Sequence, residues 1–139
     1  MKVYGFQLSF RMDAETSADI TTHVQDQVRA SGIREGFVVL FAQGSTCALS
    51  TMEFEPGLRK DILDAMERVA PSDIDYAHHR TWNDGNGRSH VRATVIGPSL
   101  TVPITKGRLD LGTWQQIVLF NFDIHPRERV VIGKVFGEP

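Results

Sequence analysis

From Val3 to Met12 the chain alternates Phe6, Leu8, Phe10 and Met12 with Gln7, Ser9 and Arg11. Strand side chains point to opposite faces at a period of two, so this stretch predicts a strand with one face buried. Thr16 and Asp19 have the spacing of a capping box, and beyond them Ile20, Val24 and Val28 recur every four residues. That stripe predicts a helix opened near Thr16 and stopped by Gly32. Gly36 to Gln43 holds the unbroken apolar run Phe37-Val38-Val39-Leu40-Phe41, which predicts a strand buried on both faces or set against another subunit. Gly44 interrupts the run, and Ser45 to Glu53 resumes with small and β-branched residues as its antiparallel partner.

Glu55-Pro56-Gly57 then opens a second helix, whose Leu58, Ile62, Ala65, Met66 and Val69 fall on one face and whose Arg59, Lys60, Asp64, Glu67 and Arg68 fall on the other. Pro71 ends it. Ser72 to Arg88 reads as a long loop, of the kind that carries function more often than not. Ser89 to Ile96 predicts one or two helical turns stopped by Gly97-Pro98. Leu100 to Ile104, Leu109 to Phe122 and Arg129 to Phe136 are rich in Val, Ile and Leu, with turns at Lys106-Gly107 and His125-Pro126. They predict a terminal antiparallel meander. With no internal repeat or linker, the expectation is one α+β domain over residues 1–139, with antiparallel-rich sheets, two main helices and a short third.

Composition narrows the function classes. A chain of 139 residues with 41% hydrophobic and 23% charged positions is an ordinary globular domain. Its net charge of −2, with basic and acidic residues interspersed, argues against nucleic acid as a partner. No apolar run reaches the roughly 18 residues of a membrane span, and Met1-Lys2-Val3-Tyr4-Gly5 lacks the layout of a signal peptide. The expected location is cytoplasmic. Cys47 is the single cysteine, so no internal disulfide forms, and its uncharged neighbours mark a small buried residue rather than a nucleophile.

Polar chemistry concentrates between Tyr76 and Gln115, a stretch that holds three of the five histidines. His78 and His90 flank the turn Asn83-Asp84-Gly85-Asn86-Gly87, which is able to fold both imidazoles toward one point. Neutral imidazole is the commonest protein metal ligand, so the two are candidate ligands for a divalent metal, zinc or magnesium. Two histidines leave a site incomplete; His79, Glu53, Asp84 or a neighbouring subunit would have to supply the rest. The plain alternative is a pair of hydrogen-bonded loop histidines. Asp84 does not start an EF-hand, because Val95 stands where the bidentate Glu belongs. Glu53, at a strand end, is a candidate proton acceptor or ligand orienter, or else a surface carboxylate. Asp61 reads as a loop cap or the partner of a base. Gly44-Ser45-Thr46 offers backbone N–H groups and hydroxyls to an anion, and Arg108, Arg127 and Arg129 offer guanidinium forks suited to phosphate. Trp114 and Gln115 would stack on and hydrogen-bond a heteroaromatic ligand, a role weighed against a structural Trp at a subunit contact. No Gly-x-Ser-x-Gly elbow occurs.

Taken in order, Glu53 with Asp61, Pro71, Tyr76-x-His78, Ser89-His90-Val91, Gly97-x-Ser99, Pro103 with Gly107, Gly112-Thr113-Trp114-Gln115-x-Ile117, and Arg129 with Gly137-Glu138 resemble the YjbQ-like, or secondary thiamine-phosphate synthase, family. The resemblance runs from the first strand to Gly137. It implies an α+β fold of antiparallel sheets, a homotrimer with clefts between subunits, and a histidine-lined site. It also implies a weak capacity to join hydroxymethylpyrimidine diphosphate to thiazole phosphate with loss of pyrophosphate. In that scheme His78, His79 and His90 hold metal or carry protons, and Glu53 orients them. Arg129 with Gly44-Ser45-Thr46 takes phosphate, and Arg108, Trp114 and Gln115 complete the substrate site. The chain departs from the family at Gly44, where many members have His, and at Met52, where many have Asn. That departure supports an alternative, a non-catalytic homotrimer binding a metal or a small phosphorylated metabolite.

Overall fold

The alternating N-terminal stretch forms strand β1 (Lys2–Met12), whose Tyr4, Phe6, Leu8 and Phe10 lean on the core while Gln7, Ser9 and Arg11 face out. The computed structural model describes residues 1–139. The remaining elements are β2 (Thr16–Asp19), α1 (Thr21–Ser31), β3 (Glu35–Gln43), β4 (Cys47–Met52), α2 (Pro56–Val69), α3 (His78–Thr81), α4 (Gly87–Ile96), β5 (Ser99–Thr105), β6 (Arg108–Leu109), β7 (Gln116–Asn121) and β8 (Arg127–Glu138). This is the expected α+β fold with antiparallel sheets. No helix is long and apolar enough to cross a membrane.

The strands divide into a five-stranded sheet, β1-β8-β3-β5-β6, and a three-stranded sheet, β2-β7-β4. The smaller sheet lies in the middle of the molecule. On one side Cys47, Leu49, Ile117 and Leu119 pack with Val38, Leu40, Ala42, Val131 and Val135 of the larger sheet and with Val24 and Val28 of α1. On the other, Ala48, Val118 and Phe120 meet Met66 of α2 and Ala93 of α4. Burial on both faces explains why Ile117-Val118-Leu119-Phe120 is continuously apolar.

Several expectations are corrected. Thr16 to Asp19 is strand β2, paired with β7, rather than a helix start. Helix α1 begins at Thr21, whose backbone N–H and hydroxyl both donate to the Asp19 carboxylate at 2.9 and 2.6 Å; the carboxylate organises the entry from two residues upstream. The apolar run of β3 is not buried on both faces, because Val38, Leu40 and Ala42 point inward while Phe37 and Phe41 face out. β4 does not pair with β3 but crosses to the smaller sheet against β7. The terminal strands form the expected hairpin at Lys106-Gly107, between β5 and β6, but no continuous meander: β5 also pairs with β3, β7 pairs with β2 and β4, and β8 with β1 and β3. The run from Leu109 to Phe122 is two strands separated by the turn at Gly112–Gln115. The loop after Pro71 contains the single turn α3, and α4 starts at Gly87, earlier than expected, giving 10 residues.

The packing makes a direct prediction. Leu40 is fully buried between the sheets, so Leu40→Ala should cost about 2–5 kcal/mol of unfolding free energy through the cavity it leaves. Urea unfolding followed by circular dichroism measures it; a loss below about 1 kcal/mol would contradict this account of the core.

Candidate functional site

Helix α4 is held from both ends. At its start, the Asn86 side chain donates from Nδ2 to Asp123 Oδ1 (3.2 Å) and accepts from the Ser89 hydroxyl (2.9 Å) and from the backbone N–H of Ile124 (3.2 Å). Further along, the buried Arg92 donates to Glu67 Oε2 at 2.6 Å and to the Ala70 carbonyl, tying α4 to the end of α2. The Ser72 backbone and hydroxyl, together with Arg92, hold the Glu67 carboxyl well down, to about 2. Tyr76 donates to the Pro71 carbonyl at 2.6 Å and lies against Gly87, where an added Cβ would meet its Cβ at 2.5 Å. The glycine at the head of α4 therefore lets α3 approach closely.

That approach brings His78 on α3 over His90 on α4, with ring centroids 4.3 Å apart and planes tilted by 40°. Between them the turn carries Asn83 and Gly85 in left-handed conformations (φ 49° and 70°), which aims Asp84 back at the rings. His78 Nδ1 lies 3.5 Å from Asp84 Oδ1. His78, Asp84 and His90 each offer a ligand atom, and all of these atoms lie within 4.8 Å of one another. His78 Nδ1 is buried and has no hydrogen-bond partner. The backbone N–H of Asn86, with His78 and His90 nearby, holds the Asp84 carboxyl below the ordinary range, so it is anionic at neutral pH. Two imidazoles and a carboxylate form a donor set suited to a divalent transition metal.

Beside this trio opens a cleft of ≈420 Å³ lined by no apolar side chain. Asp84, Asn86 and His90 form one wall, and Gly44-Ser45-Thr46 with Asp123, Arg127, Glu128 and Arg129 form the other. Asp123 is 2% exposed and accepts from the Thr46 hydroxyl (3.0 Å), Asn86, Arg127 Nε (3.1 Å) and the His125 backbone N–H (2.9 Å). Burial pushes its carboxyl up, but these donors outweigh burial and leave it below the ordinary value. Arg129, 7% exposed, donates from Nε and Nη2 to Asn121 Oδ1 and from Nη2 to the Thr46 hydroxyl. Its Nη1 lies toward Gly44, whose Cβ, if present, would sit 2.9 Å from it. The cleft thus reaches Asp84 and His90 of the cluster, with His78 behind them, and sets them across from an oriented guanidinium.

Other candidate residues lie elsewhere. His79 turns away, accepting from the Gly87 N–H at 3.3 Å, lying 3.4 Å from Asp75 and packing edge-on against Tyr76. Successive helical residues are about 100° apart, so the doubled histidine does not double the ligands. Glu53 is exposed at the end of β4 and lies outside the cluster; Asp84 supplies the carboxylate. Asp61 is exposed on α2. Trp114 is 74% exposed, and Arg108 and Gln115 line a different groove, along α1. Sequence reading missed Asn86, Asn121 and Asp123. The available signal was Asn121-Phe122-Asp123, two polar residues of one parity closing an apolar strand.

Three sheet and helix layers with a histidine–carboxylate cleft at their edge define a small α+β protein built around a polar, metal-competent pocket. The family model described as "UPF0047 protein YjbQ-like" matches residues 7–138, and the chain belongs to that family. A UPF0047 protein of Methanothermobacter thermautotrophicus is 39% identical, with 100% of this chain and 96% of the relative covered. One from Archaeoglobus fulgidus is 42% identical over 84% of this chain and 87% of the relative. Among solved structures, a YbjQ-like protein of unknown function from Sulfolobus solfataricus superposes with a TM-score of 0.88 at 29% identity, covering 99% of this chain and 100% of that one. An uncharacterised YjbQ/UPF0047 protein from Clostridium acetobutylicum gives 0.86 at 32% identity, covering 94% and 99%.

The buried carboxylate sets a pH dependence. Because the folded value of Asp123 lies below its ordinary 3.8, its contribution to stability is present above about pH 3.8 and is lost as pH falls through the lower folded value. Asp123→Asn should lower stability at neutral pH and flatten the acid decline, as read from urea midpoints across an acid pH series. A variant declining in parallel with the parent would show that Asp123 carries none of it.

Proposed function

We propose that the cleft binds a divalent metal ion through His78, Asp84 and His90 and a phosphate group through Gly44-Ser45-Thr46, Arg127 and Arg129. The reading rests on His78 Nδ1, a buried ring nitrogen with no protein partner, placed within reach of a carboxylate and a second imidazole. An unpartnered buried polar atom is costly, and a ligand removes the cost. Arg129 supports the phosphate half: its Nε and Nη2 are engaged by Asn121 and Thr46, leaving Nη1 to the cleft.

The reaction to test is the one implied by the family resemblance, union of hydroxymethylpyrimidine diphosphate with thiazole phosphate. A C–N bond forms at the pyrimidine methylene as its C–O bond to pyrophosphate breaks. A bound divalent cation would offset charge on the departing pyrophosphate. Arg129 and Arg127 would grip its oxygens, while Ser45 and the backbone around Gly44 orient them. His90 stands close enough to both halves of the cleft to serve as ligand or proton carrier. Glu53 has no part in this arrangement. Binding without turnover would leave the alternative, a non-catalytic metal- and metabolite-binding protein.

Cobalt absorption spectroscopy tests the metal half directly. His78→Ala or His90→Ala should weaken Co²⁺ binding by about 100-fold, whereas His79→Ala should change it by less than about threefold. Equal effects at all three positions, or no stoichiometric Co²⁺ at all, would remove the proposed site. Supplying both precursors with Mg²⁺ and assaying thiamine phosphate tests the reaction, and Arg129→Ala should abolish any turnover found.

The assembly expected with this activity is a homotrimer. Supporting it, the outer face of the five-stranded sheet carries Val3, Phe37 and Phe41 exposed by 56%, 37% and 46%. Phe37 also stacks on Phe136 at 5.2 Å. A contiguous apolar face of this kind favours association. Native mass should be about three times the 15.5 kDa of the chain, and Phe37→Ser with Phe41→Ser should lower it. A parent protein running as a monomer would overturn the trimer.

A further inference from the structure

A second concave surface lies between α1 and the β5–β6 turn. Two adjoining hollows of ≈370 and ≈390 Å³ share Arg29 and Arg108, and the second also exposes Arg34 and Lys106. No carboxylate lines either hollow. In a chain whose acidic residues outnumber its basic ones, 17 to 15, four cations share these hollows, with Asp26 and Glu35 at their margins. Arg29 pairs with Asp26 across open solvent, a contact worth little. Arg34, Lys106 and Arg108 take part in no ion pair, unlike Arg88, Arg92, Arg127 and Arg129.

The groove is built before any ligand arrives. Gln25 of α1 donates to the Gly107 carbonyl (3.0 Å) and accepts from the Leu109 N–H (3.0 Å), so one amide fixes the turn to the helix. The Gly107 N–H donates to the Arg34 carbonyl at 2.9 Å, and Glu35 accepts from the Lys106 N–H at 3.1 Å. Lys106 itself is held at φ 53°, a left-handed conformation rare for its type. The neutral side chains that shape the groove are already engaged: both ends of Gln25 are bonded, Gln115 bonds Gly112 and Thr51, and the Thr21 hydroxyl bonds Asp19 and Ile117. The unpaired charge that remains is on three cationic groups, Arg34, Lys106 and Arg108, which only donate.

We propose that this groove is a second anion site, taking the phosphate or pyrophosphate group of a small molecule on Arg34, Lys106 and Arg108. A donor-only surface selects a ligand rich in acceptors and negative charge, and guanidinium forks match phosphate oxygens in pairs. Long nucleic acid is disfavoured by the net charge of −2. The proposal is independent of the histidine cleft, with which the groove shares no lining residue.

Titration of the ¹⁵N-labelled full chain with pyrophosphate, and separately with inorganic phosphate, tests it by backbone and Arg Nε shifts. Saturable shifts are expected at Arg34, Lys106, Gly107 and Arg108. Arg34→Ala combined with Lys106→Gly should weaken the affinity read there at least tenfold while leaving Co²⁺ binding at the histidine cluster unchanged. Glycine at 106 suits the left-handed turn, so loss of fold does not confound the result, and circular dichroism checks it. Shifts confined to Gly44–Thr46, Arg127 and Arg129, or groove shifts that do not saturate or that persist in the double variant, would overturn the proposal.

Discussion

A carboxylate taken out of water must be neutralised or surrounded by donors, and Asp123 is surrounded. Its oxygens accept from the β3–β4 connection through Thr46, from the head of α4 through Asn86, and from the opening of β8 through Arg127. Those three segments are distant in sequence and lie in different layers. No apolar contact would fix their mutual angle as tightly, because hydrophobic packing is not directional. The cleft exists where these segments meet, and its walls are the residues that satisfy the buried charge.

The same network explains why the site is polar throughout and still well ordered. Arg129 spends Nε and Nη2 on Asn121 and Thr46, which fixes the plane of its guanidinium. Burial and its neighbours pull in opposite directions on this group: burial lowers its ordinary value, while Asp123 and Cys47 raise it. Asn86 links the two halves of the cleft, touching Asp123 with its amide nitrogen and capping Ser89 and Ile124 with its oxygen. His90 follows one turn later, its N–H bonded to the Asn86 carbonyl at 3.2 Å. An imidazole on α4 is thereby linked, through Asn86, to a carboxylate in the β7–β8 connection. The His78–Asp84–His90 cluster and the arginine side of the cleft are consequently joined through Asn86.

How much of this was legible in the chain depends on which physical signal carried it. Periodicity located most of the strands and the apolar face of α2, because burial on one face leaves a trace in sequence. It did not locate partners. The run 117–120 looks the same whether its neighbours are β2 and β4 or β5 and β8, and only the three-dimensional stacking of two sheets decides. Thr16 and Asp19 misled for a related reason: Asp19 does organise the helix entry, but from a strand end, through an Asx-type contact with Thr21. His78 and His90 were readable as a pair because the glycine-rich turn between them is local. Asp123 was not, since its donors come from across the fold. Arg108 was assigned to the same site as Arg129 on charge alone, and charge carries no information about place.

Gly44 bears on what kind of site this family member has. A histidine at this position, the residue expected from the family resemblance, would project into the same corner as Arg129. In this chain an added Cβ would sit 2.9 Å from Arg129 Nη1 and 3.0 Å from Cys47 Sγ, and the backbone has φ 154°. Both conditions resist a side chain: the space is occupied, and the conformation favours glycine. The substitution is therefore not a simple deletion of an imidazole from an unchanged pocket. The backbone path, the thiol of Cys47 and the Arg129 fork fit one another around the missing side chain, and a single reversion to histidine would have to displace all three. The corner that an imidazole at position 44 would fill holds the Arg129 guanidinium, across the cleft from Asp84 and His90.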